Sequence, residues 1–279
     1  MSEPAAVPRL RLNSGREIPQ LGFGLYKILG EGAERAVAAA LEAGYRHLDT
    51  ASLYENEAEV GRAIAASGVP RRELFVTTKL WHTENAHDRA IAAFDRSLDA
   101  LGLDYVDLYL IHWPAPRVGR YLEAWEALEE IAASGRARSI GVSNFLPEHL
   151  EAVIGLGGTV PAVNQVELHP LFQQRELREW QEPRGIRTEA WGPLGQGKYR
   201  LDEIAVLAEL AQRHGRSIQQ IVIRWQLQEG VILIPKSSHP ERIAQNLAVL
   251  DFELGPEEIA AIRALDERRR IGVHPDERN

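Results

Sequence analysis

The most constraining feature of this sequence is the alternation of short apolar, β-branched runs with amphipathic helical patterns. We predict eight strands, at residues 20–25, 45–49, 74–80, 105–112, 138–143, 162–167, 186–191 and 231–236, with helices between them. The runs are nearly all apolar, which is typical of a parallel sheet covered by helices on its outer face. Eight strand–helix units in 279 residues predict an α/β fold, a (β/α)8 TIM barrel formed as one domain over residues 1–279.

Glycines and turns divide the chain at regular places. Five glycines each follow a helical pattern, where glycine commonly ends a helix: Gly44, Gly68, Gly102, Gly135 and Gly215. Residues 9–19 predict a small N-terminal hairpin that turns at residues 13–15, ahead of the first barrel strand. No linker rich in Gly, Ser or Pro marks a domain boundary.

The rival architecture is a doubly wound open sheet, which would normally carry G-x-G-x-x-G after its first strand. Gly22 and Gly24 supply the first two glycines, but Lys27 stands where the third belongs. The dinucleotide fingerprint of that fold is therefore incomplete, and the barrel is favoured.

Composition excludes several classes of function. The net charge of −8 argues against a nucleic-acid or anionic-membrane surface as the main partner. The absence of cysteine excludes disulfides, thiolate nucleophiles and thiolate-bound zinc. No apolar run approaches the length of a membrane span, and the first twenty residues lack the apolar core of a signal peptide. We expect a cytoplasmic protein.

Lysine is scarce, and its positions are informative. Only four of the 32 basic residues are lysines: Lys27, Lys79, Lys198 and Lys236. Arginine keeps its proton, whereas the pKa of a lysine can be tuned by its surroundings. All four lysines fall near the carboxyl ends of predicted strands, the end at which TIM barrels place catalytic residues.

Four side chains at those strand ends form a candidate catalytic group. Asp49 and Tyr54 follow the second strand, Lys79 ends the third and His112 ends the fourth. An ammonium held by a carboxylate would lower the pKa of a nearby phenol, which is ordinarily about 10. Tyr54 could then donate a proton to a carbonyl that accepts a hydride, while His112 hydrogen-bonds the same oxygen.

Seven motifs occur in order over about residues 20–250, and together they resemble the aldo-keto reductase family: "GYRHLDTASLYENE", "TTKLW", "VDLYLIHWP", "SIGVSNF", "PAVNQVELHP", "AWGPLGQGK" and "IPKSSHPERIAQN". Within that family, "AWGPLGQGKY" and "VHPDE" look most like bacterial 2,5-diketo-D-gluconic acid reductases. The resemblance implies an NADPH-dependent reductase of aldehydes, ketones or diketo sugar acids. Tyr54 would be its proton donor, and NADPH (NADP+) its cofactor.

The resemblance also implies cofactor-binding residues. Ser143, Asn144 and Gln165 would bind the carboxamide, and Trp191 would stack on the nicotinamide ring. The loop under the pyrophosphate would comprise Gly192, Pro193, Leu194, Gly195, Gln196, Gly197 and Lys198. The adenosine end would be held by Lys236, Ser237, Ser238, Arg242, Gln245 and Asn246. Charge-assisted contacts from Lys236 and Arg242 suit a 2′-phosphate. Gln245 replaces the glutamate usual in the family, which weakens the assignment of the adenine site.

The substrate would be a small-molecule carbonyl compound, with Tyr26, Trp81 and Trp113 as walls of its pocket beside His112. The charged tail at residues 266–279 could be a frayed end. The family resemblance favours a tail folded over the barrel mouth, where it would shape the pocket. The resemblance also implies a monomer.

Other functions remain as alternatives. Gly192, Gly197 and Lys198 satisfy G-x-x-x-x-G-K, but Tyr199 follows where a P-loop needs Ser or Thr. We predict no metal site, because the histidines lack H-x-x-x-H spacing, although His82 and His87 come close. A Schiff-base lyase using Lys79 would need a neutral amine, which Asp49 opposes. A non-catalytic barrel that only binds NADPH would keep the same fold.

Overall fold

Eight parallel strands form one sheet, in sequence order, in a computed structural model that describes residues 6–278. The ends of the predicted domain and the last residue of the predicted tail therefore lie outside the described residues. The barrel strands are β3 (Phe23–Gly24), β4 (His47–Asp49), β5 (Phe75–Leu80), β6 (Leu108–Ile111), β7 (Ile140–Ser143), β8 (Val163–Glu167), β9 (Arg187–Trp191) and β10 (Ile232–Leu233). Each lies within one of the predicted runs.

The first and last strands meet and close the barrel. Leu21 pairs in parallel with Leu233, and the Leu233 N–H donates to Gln20 O at 2.9 Å. Gly24 N–H donates to Pro235 O at 3.1 Å. A Cβ on Gly24 would lie 2.8 Å from Ile234 O, so this close approach requires a glycine. The TIM-barrel prediction is confirmed, and closure rules out the open doubly wound sheet.

Helices form the outer layer. They are α1 (Glu31–Ala43), α2 (Glu57–Ala66), α3 (His87–Leu101), α4 (Tyr121–Ala133), α5 (Pro147–Ile154), α6 (Arg175–Gln181), α7 (Ala205–His214), α8 (Ile218–Gln228), α9 (Pro240–Leu247) and α10 (Pro256–Arg263). Gly44, Gly102 and Gly215 end helices in the left-handed conformation, as predicted. The main apolar core fills the space between these helices and the sheet. In the part of the chain that the structure describes, no helix is both long and apolar enough to cross a bilayer.

The predicted hairpin closes the amino-terminal end of the barrel. Strands β1 (Arg9–Arg11) and β2 (Glu17–Pro19) are antiparallel, and Gly15 adopts a left-handed conformation in the turn. Leu12 and Ile18 pack on strand residues, including Phe75, in a second apolar cluster. One end of the barrel is thus filled with apolar side chains.

Candidate active site

The stretch after β4 is fixed by polar side chains. Asn56 is fully buried, and its Nδ2 donates to the carbonyls of Leu25 (3.0 Å) and Ile28 (2.8 Å). Ser52 Oγ donates, at 2.9 Å, to a backbone carbonyl near the end of β5. These bonds join three neighbouring strand ends and hold the short 3₁₀ turn that carries Tyr54.

A buried ion pair lies beneath Tyr54. Lys79 has no exposed surface, and its Nζ donates to Asp49 Oδ1 at 2.5 Å and to Thr50 O at 2.9 Å. The same Nζ lies 5.1 Å from the centre of the Tyr54 ring. An ammonium enclosed in this way is not a free nucleophile, so the geometry disfavours the Schiff-base alternative.

Tyr54 and His112 face each other at the mouth. Their ring centroids are 5.6 Å apart and the ring planes meet at 77°. Burial, together with the positive charges of Lys79 and Arg278, holds the pKa of His112 well below its ordinary value. His112 is therefore a neutral imidazole near neutral pH, able to donate one N–H to a carbonyl oxygen.

The prediction that Lys79 lowers the pKa of Tyr54 is wrong for this structure. Removal of the phenol from solvent and the negative charge of Asp49 raise that pKa well above 10. The charge of Lys79 is matched by Asp49 at 2.5 Å, so little of it acts on the phenol. Tyr54 keeps its proton at neutral pH.

A cavity of about 670 Å³ opens at this end of the barrel. Its walls include the predicted catalytic residues Asp49, Tyr54 and His112, together with the predicted substrate walls Tyr26, Trp81 and Trp113. Lys79 lies behind this surface. Lys27, Lys198 and Lys236 border the cavity, so all four lysines of the chain collect at one end.

Another cavity, of about 750 Å³, lies beside the N-terminal hairpin and is lined by none of the predicted site residues.

The residues predicted to bind a carboxamide form one hydrogen-bonded wall of the site cavity. Asn144 Nδ2 donates to His112 O and to Ser143 Oγ, both at 3.0 Å, and Trp191 Nε1 donates to Asn144 Oδ1 at 2.8 Å. Ser143 Oγ donates to Gln165 O at 2.8 Å. Asn144 also adopts a left-handed backbone conformation, which asparagine tolerates better than most residues. The wall is rigid because its polar atoms are bonded to one another.

A neighbouring cavity extends the site towards α9. It is lined by Ser237, Ser238, Arg242, Gln245 and Asn246. It shares Leu194, Gly197 and Lys236 with the first cavity, the one of about 670 Å³ that contains Tyr54. Gly192, Pro193 and Gln196 lie on the first cavity, whereas Gly195 lines neither and is buried against the ring of Tyr199. Apart from Lys79 and Gly195, every predicted site residue lies on this groove.

The C-terminal tail lies across the mouth. Glu167 is fully buried, and its carboxylate accepts the backbone N–H groups of Ile271 (2.6 Å) and Gly272 (2.8 Å). Gly272 sits so close to Trp191 that a Cβ there would lie 2.6 Å from the indole ring. Gly272, Val273 and Arg278 form part of the cavity wall. The tail is thus folded over the site, as the family resemblance implied.

Glu148, His149 and Asp276 form the one group of potential metal ligands found among residues 6–278. Leu146 N–H donates to His149 Nδ1 at 3.2 Å, so the ring proton of a neutral His149 resides on Nε2. That nitrogen lies 3.3 Å from Asp276 Oδ1. The arrangement fits a contact that holds the tail better than it fits a metal site.

Sequence reasoning assigned no role to three contributors to the site. Glu189 is buried behind Gln165, Glu167 holds the tail, and the Arg278 guanidinium lies 4.9 Å from the Trp81 ring. Glu189 could have been found, because an acid inside a predicted strand of a parallel sheet ("IRTEAW") is unusual. The other two depend on the path of the tail, which has no periodic pattern.

The P-loop alternative fails on geometry. Residues Gly195–Gly197 form a short 3₁₀ turn, and the next α-helix begins only at Ala205. A P-loop leads directly into the helix whose amino terminus faces the phosphates.

Comparisons with known proteins agree with this site. The profile of the Aldo/keto reductase family matches residues 20–267. An aldo-keto reductase of Mycolicibacterium smegmatis is 53% identical over 96% of this chain and 97% of its own length. Methylglyoxal reductase DkgA of Salmonella typhimurium is 46% identical over 99% of both chains. A crystal structure of a Gox0644 mutant in complex with NADPH superimposes with a TM-score of 0.93, at 44% identity, over 97% of this chain and 98% of that one. With its closed barrel and its groove at the strand ends, the chain belongs to the aldo/keto reductase family.

Proposed function

We propose that this chain reduces small aldehydes and ketones with NADPH, and that Tyr54 donates the proton. Family membership makes the chain an oxidoreductase. The observation that supports the specific proposal most is the meeting of Tyr54 and His112 at the cavity mouth, above the buried Lys79–Asp49 pair.

The charges along the groove fit a phosphorylated dinucleotide. The side chains of Lys198, Lys236 and Arg242 are exposed beside the cavities. Among the described residues, no carboxylate forms an ion pair with any of them. Unpaired cations at the junction of two cavities suit a polyphosphate. We propose that Lys236, Ser237 and Arg242 hold the 2′-phosphate and that Trp191 packs against the nicotinamide. When bound, NADPH would supply the hydride.

Proton donation follows from the state of the two rings. Tyr54 is protonated at neutral pH, and neutral His112 has an N–H to offer, so a carbonyl oxygen between them receives two hydrogen bonds. As that oxygen becomes an alkoxide, it becomes a stronger base than a phenolate, so transfer from Tyr54 is favourable despite the raised pKa.

The pocket walls support a small carbonyl substrate. Trp81, Trp113 and Tyr26 surround the two polar rings, and the tail limits the space above them. The relative named methylglyoxal reductase DkgA is similar over nearly its whole length. We therefore propose α-dicarbonyls such as methylglyoxal as the first substrates to test, with diketo sugar acids as a second class.

The decisive experiment replaces Tyr54 with phenylalanine. We expect Tyr54→Phe to bind NADPH with nearly unchanged affinity and to lose about a hundredfold to ten-thousandfold in turnover of methylglyoxal, the range for a general acid. Turnover is followed by the loss of NADPH absorbance and binding by calorimetry. Tyr105→Phe, which alters a ring outside the cavity walls, is the matched control. Wild-type turnover by Tyr54→Phe would exclude the acid role, and an inactive wild type that binds NADPH would favour the non-catalytic alternative.

We also propose that residues 1–279 form a single domain that acts as a cytoplasmic monomer. The family resemblance implies a monomer, and the groove is lined by strand ends, loops and the tail of one barrel. Light scattering on the purified protein tests the monomer, and a stable dimer at low concentration would exclude it.

A further inference from the structure

Glu189 is a buried carboxyl group that the proposed chemistry does not use. It lies in β9, two residues before Trp191, and it has no exposed surface. In the parallel sheet it stands opposite Gln165 of β8, so the two side chains point to the same face. Gln165 lines the cavity and Glu189 does not. Glu189 therefore acts on the site only through the residues that it contacts.

Glu189 and Asp49 together occupy the amide nitrogen of Gln165. Gln165 Nε2 donates to Asp49 Oδ2 at 2.8 Å and to Glu189 Oε2 at 2.9 Å. A side-chain amide has two N–H donors, and here both are used. The reverse orientation would place the amide oxygen against two carboxyl groups, one of them the carboxylate paired with Lys79. The side-chain oxygen of Gln165, Oε1, is therefore the atom that remains to bind a ligand.

The neighbouring amide is more fully occupied, with one lone pair of its oxygen already used. Both N–H groups of Asn144 already donate, to His112 O and to Ser143 Oγ, and its Oδ1 accepts from Trp191. Gln165 Oε1 accepts no hydrogen bond from residues 6–278. Of the two amide oxygens on this wall, it is thus the one with both lone pairs open to a ligand.

We propose that Glu189 is a positioning residue which, with Asp49, locks the amide of Gln165 so that its oxygen accepts an N–H from the nicotinamide carboxamide. This inference rests on the proposed NADPH function. Burial and the charge of Asp49 raise the pKa of Glu189 to about 8, so at neutral pH it adds no second full negative charge beside Asp49. Its Oε1 faces His47, whose Nε2 lies 3.7 Å away.

The test compares two dinucleotides that differ only at this group. NADP+ carries a carboxamide, whereas its 3-acetylpyridine analogue has a methyl ketone and no N–H to donate. Calorimetry on the wild-type protein should show NADP+ binding roughly three- to tenfold more tightly, the value of one hydrogen bond. Glu189→Leu should bring this ratio close to one, because a hydrocarbon side chain cannot hold the second N–H of Gln165. Glu189→Gln should keep the ratio, because its amide oxygen can still accept that N–H.

Controls and alternative outcomes separate this role from others. Glu57→Gln changes another buried glutamate, which contacts Thr78 and Ser97 and not Gln165, and should leave the ratio unchanged. Equal binding of the two dinucleotides by the wild type, or an unchanged ratio in Glu189→Leu, would overturn the proposal. If Glu189→Leu does not fold, Glu189→Met provides the same loss of an acceptor with a more flexible chain. Failure of both dinucleotides to bind the wild type would remove the cofactor assignment itself, which is a different result.

Discussion

Replacing Glu189 with glutamine should change how the free energy of unfolding depends on pH. The pKa of Glu189 is about 8 in the folded protein, against an ordinary value of 4.5, because the group is buried beside Asp49. Below pH 4.5 the carboxyl is protonated in both states and its contribution to stability is complete. As the pH rises towards 8, the unfolded chain releases this proton while the folded protein keeps it, so stability falls.

The size of this effect follows from the shift. At about 1.4 kcal/mol per pKa unit, the wild type should lose about 3 to 4 kcal/mol through Glu189 between about pH 5 and pH 8. Glu189→Gln has no proton to release and can still accept the hydrogen bond from Gln165. Its stability relative to the wild type should therefore rise by this amount across the same range.

Urea denaturation followed by circular dichroism, repeated at several pH values, measures the difference directly. Titrating groups remote from Glu189 are common to both proteins and cancel in the comparison. Glu126→Gln, which changes an exposed helix residue, controls for removing a carboxylate at the surface. A difference between Glu189→Gln and the wild type that stays constant within about 1 kcal/mol from pH 5 to pH 8 would refute the reasoning.

Three further predictions concern the groove, the tail and the loops. Changing both Lys236 and Arg242 to methionine should lower the affinity for NADPH by about a hundredfold and leave the affinity for NADH nearly unchanged. The reason is that each charged hydrogen bond to a phosphate contributes about 1.5 kcal/mol or more to binding. Equal losses of affinity for the two dinucleotides in calorimetry would count against the 2′-phosphate site. Gly272→Ala places a methyl group 2.6 Å from Trp191, so the tail must shift and the KM for methylglyoxal should rise about tenfold with the fold intact. An unchanged KM would show that the tail can move away from Trp191 without disturbing the pocket. Asn56→Ala leaves the buried carbonyl of Ile28 without a donor and removes one of the two donors to Leu25 O, so it should cost about 2 to 3 kcal/mol in urea denaturation. A loss below about 1 kcal/mol would mean that water replaces the amide.

Much of the architecture could be predicted because it repeats. Each barrel strand buries both faces, so the eight apolar runs show where the strands lie, and the residues after them share one end of the barrel. For this reason the sequence alone predicts that Asp49, Tyr54, Lys79 and His112 lie together. Their catalytic roles stay predictions, which the experiments above address.

The energetics of the site could not be predicted in the same way. The sequence shows that a phenol and an ammonium are near each other, but not that Asp49 matches the ammonium so closely that the pKa of Tyr54 rises. The partners of Glu189 depend on cross-strand register, which a single sequence does not specify. The tail contacts depend on the backbone path after α10, where no periodicity guides prediction.

The way in which the tail is attached affects how the substrate specificity of this protein can change. Glu167 binds the amide groups of the main chain at residues 271 and 272, which every amino acid except proline provides. Side chains such as Val273 can therefore be exchanged for larger or more polar ones while the segment stays attached. A library confined to that position should yield enzymes with altered substrate preference and little loss of thermal stability, because attachment and selectivity reside in different atoms.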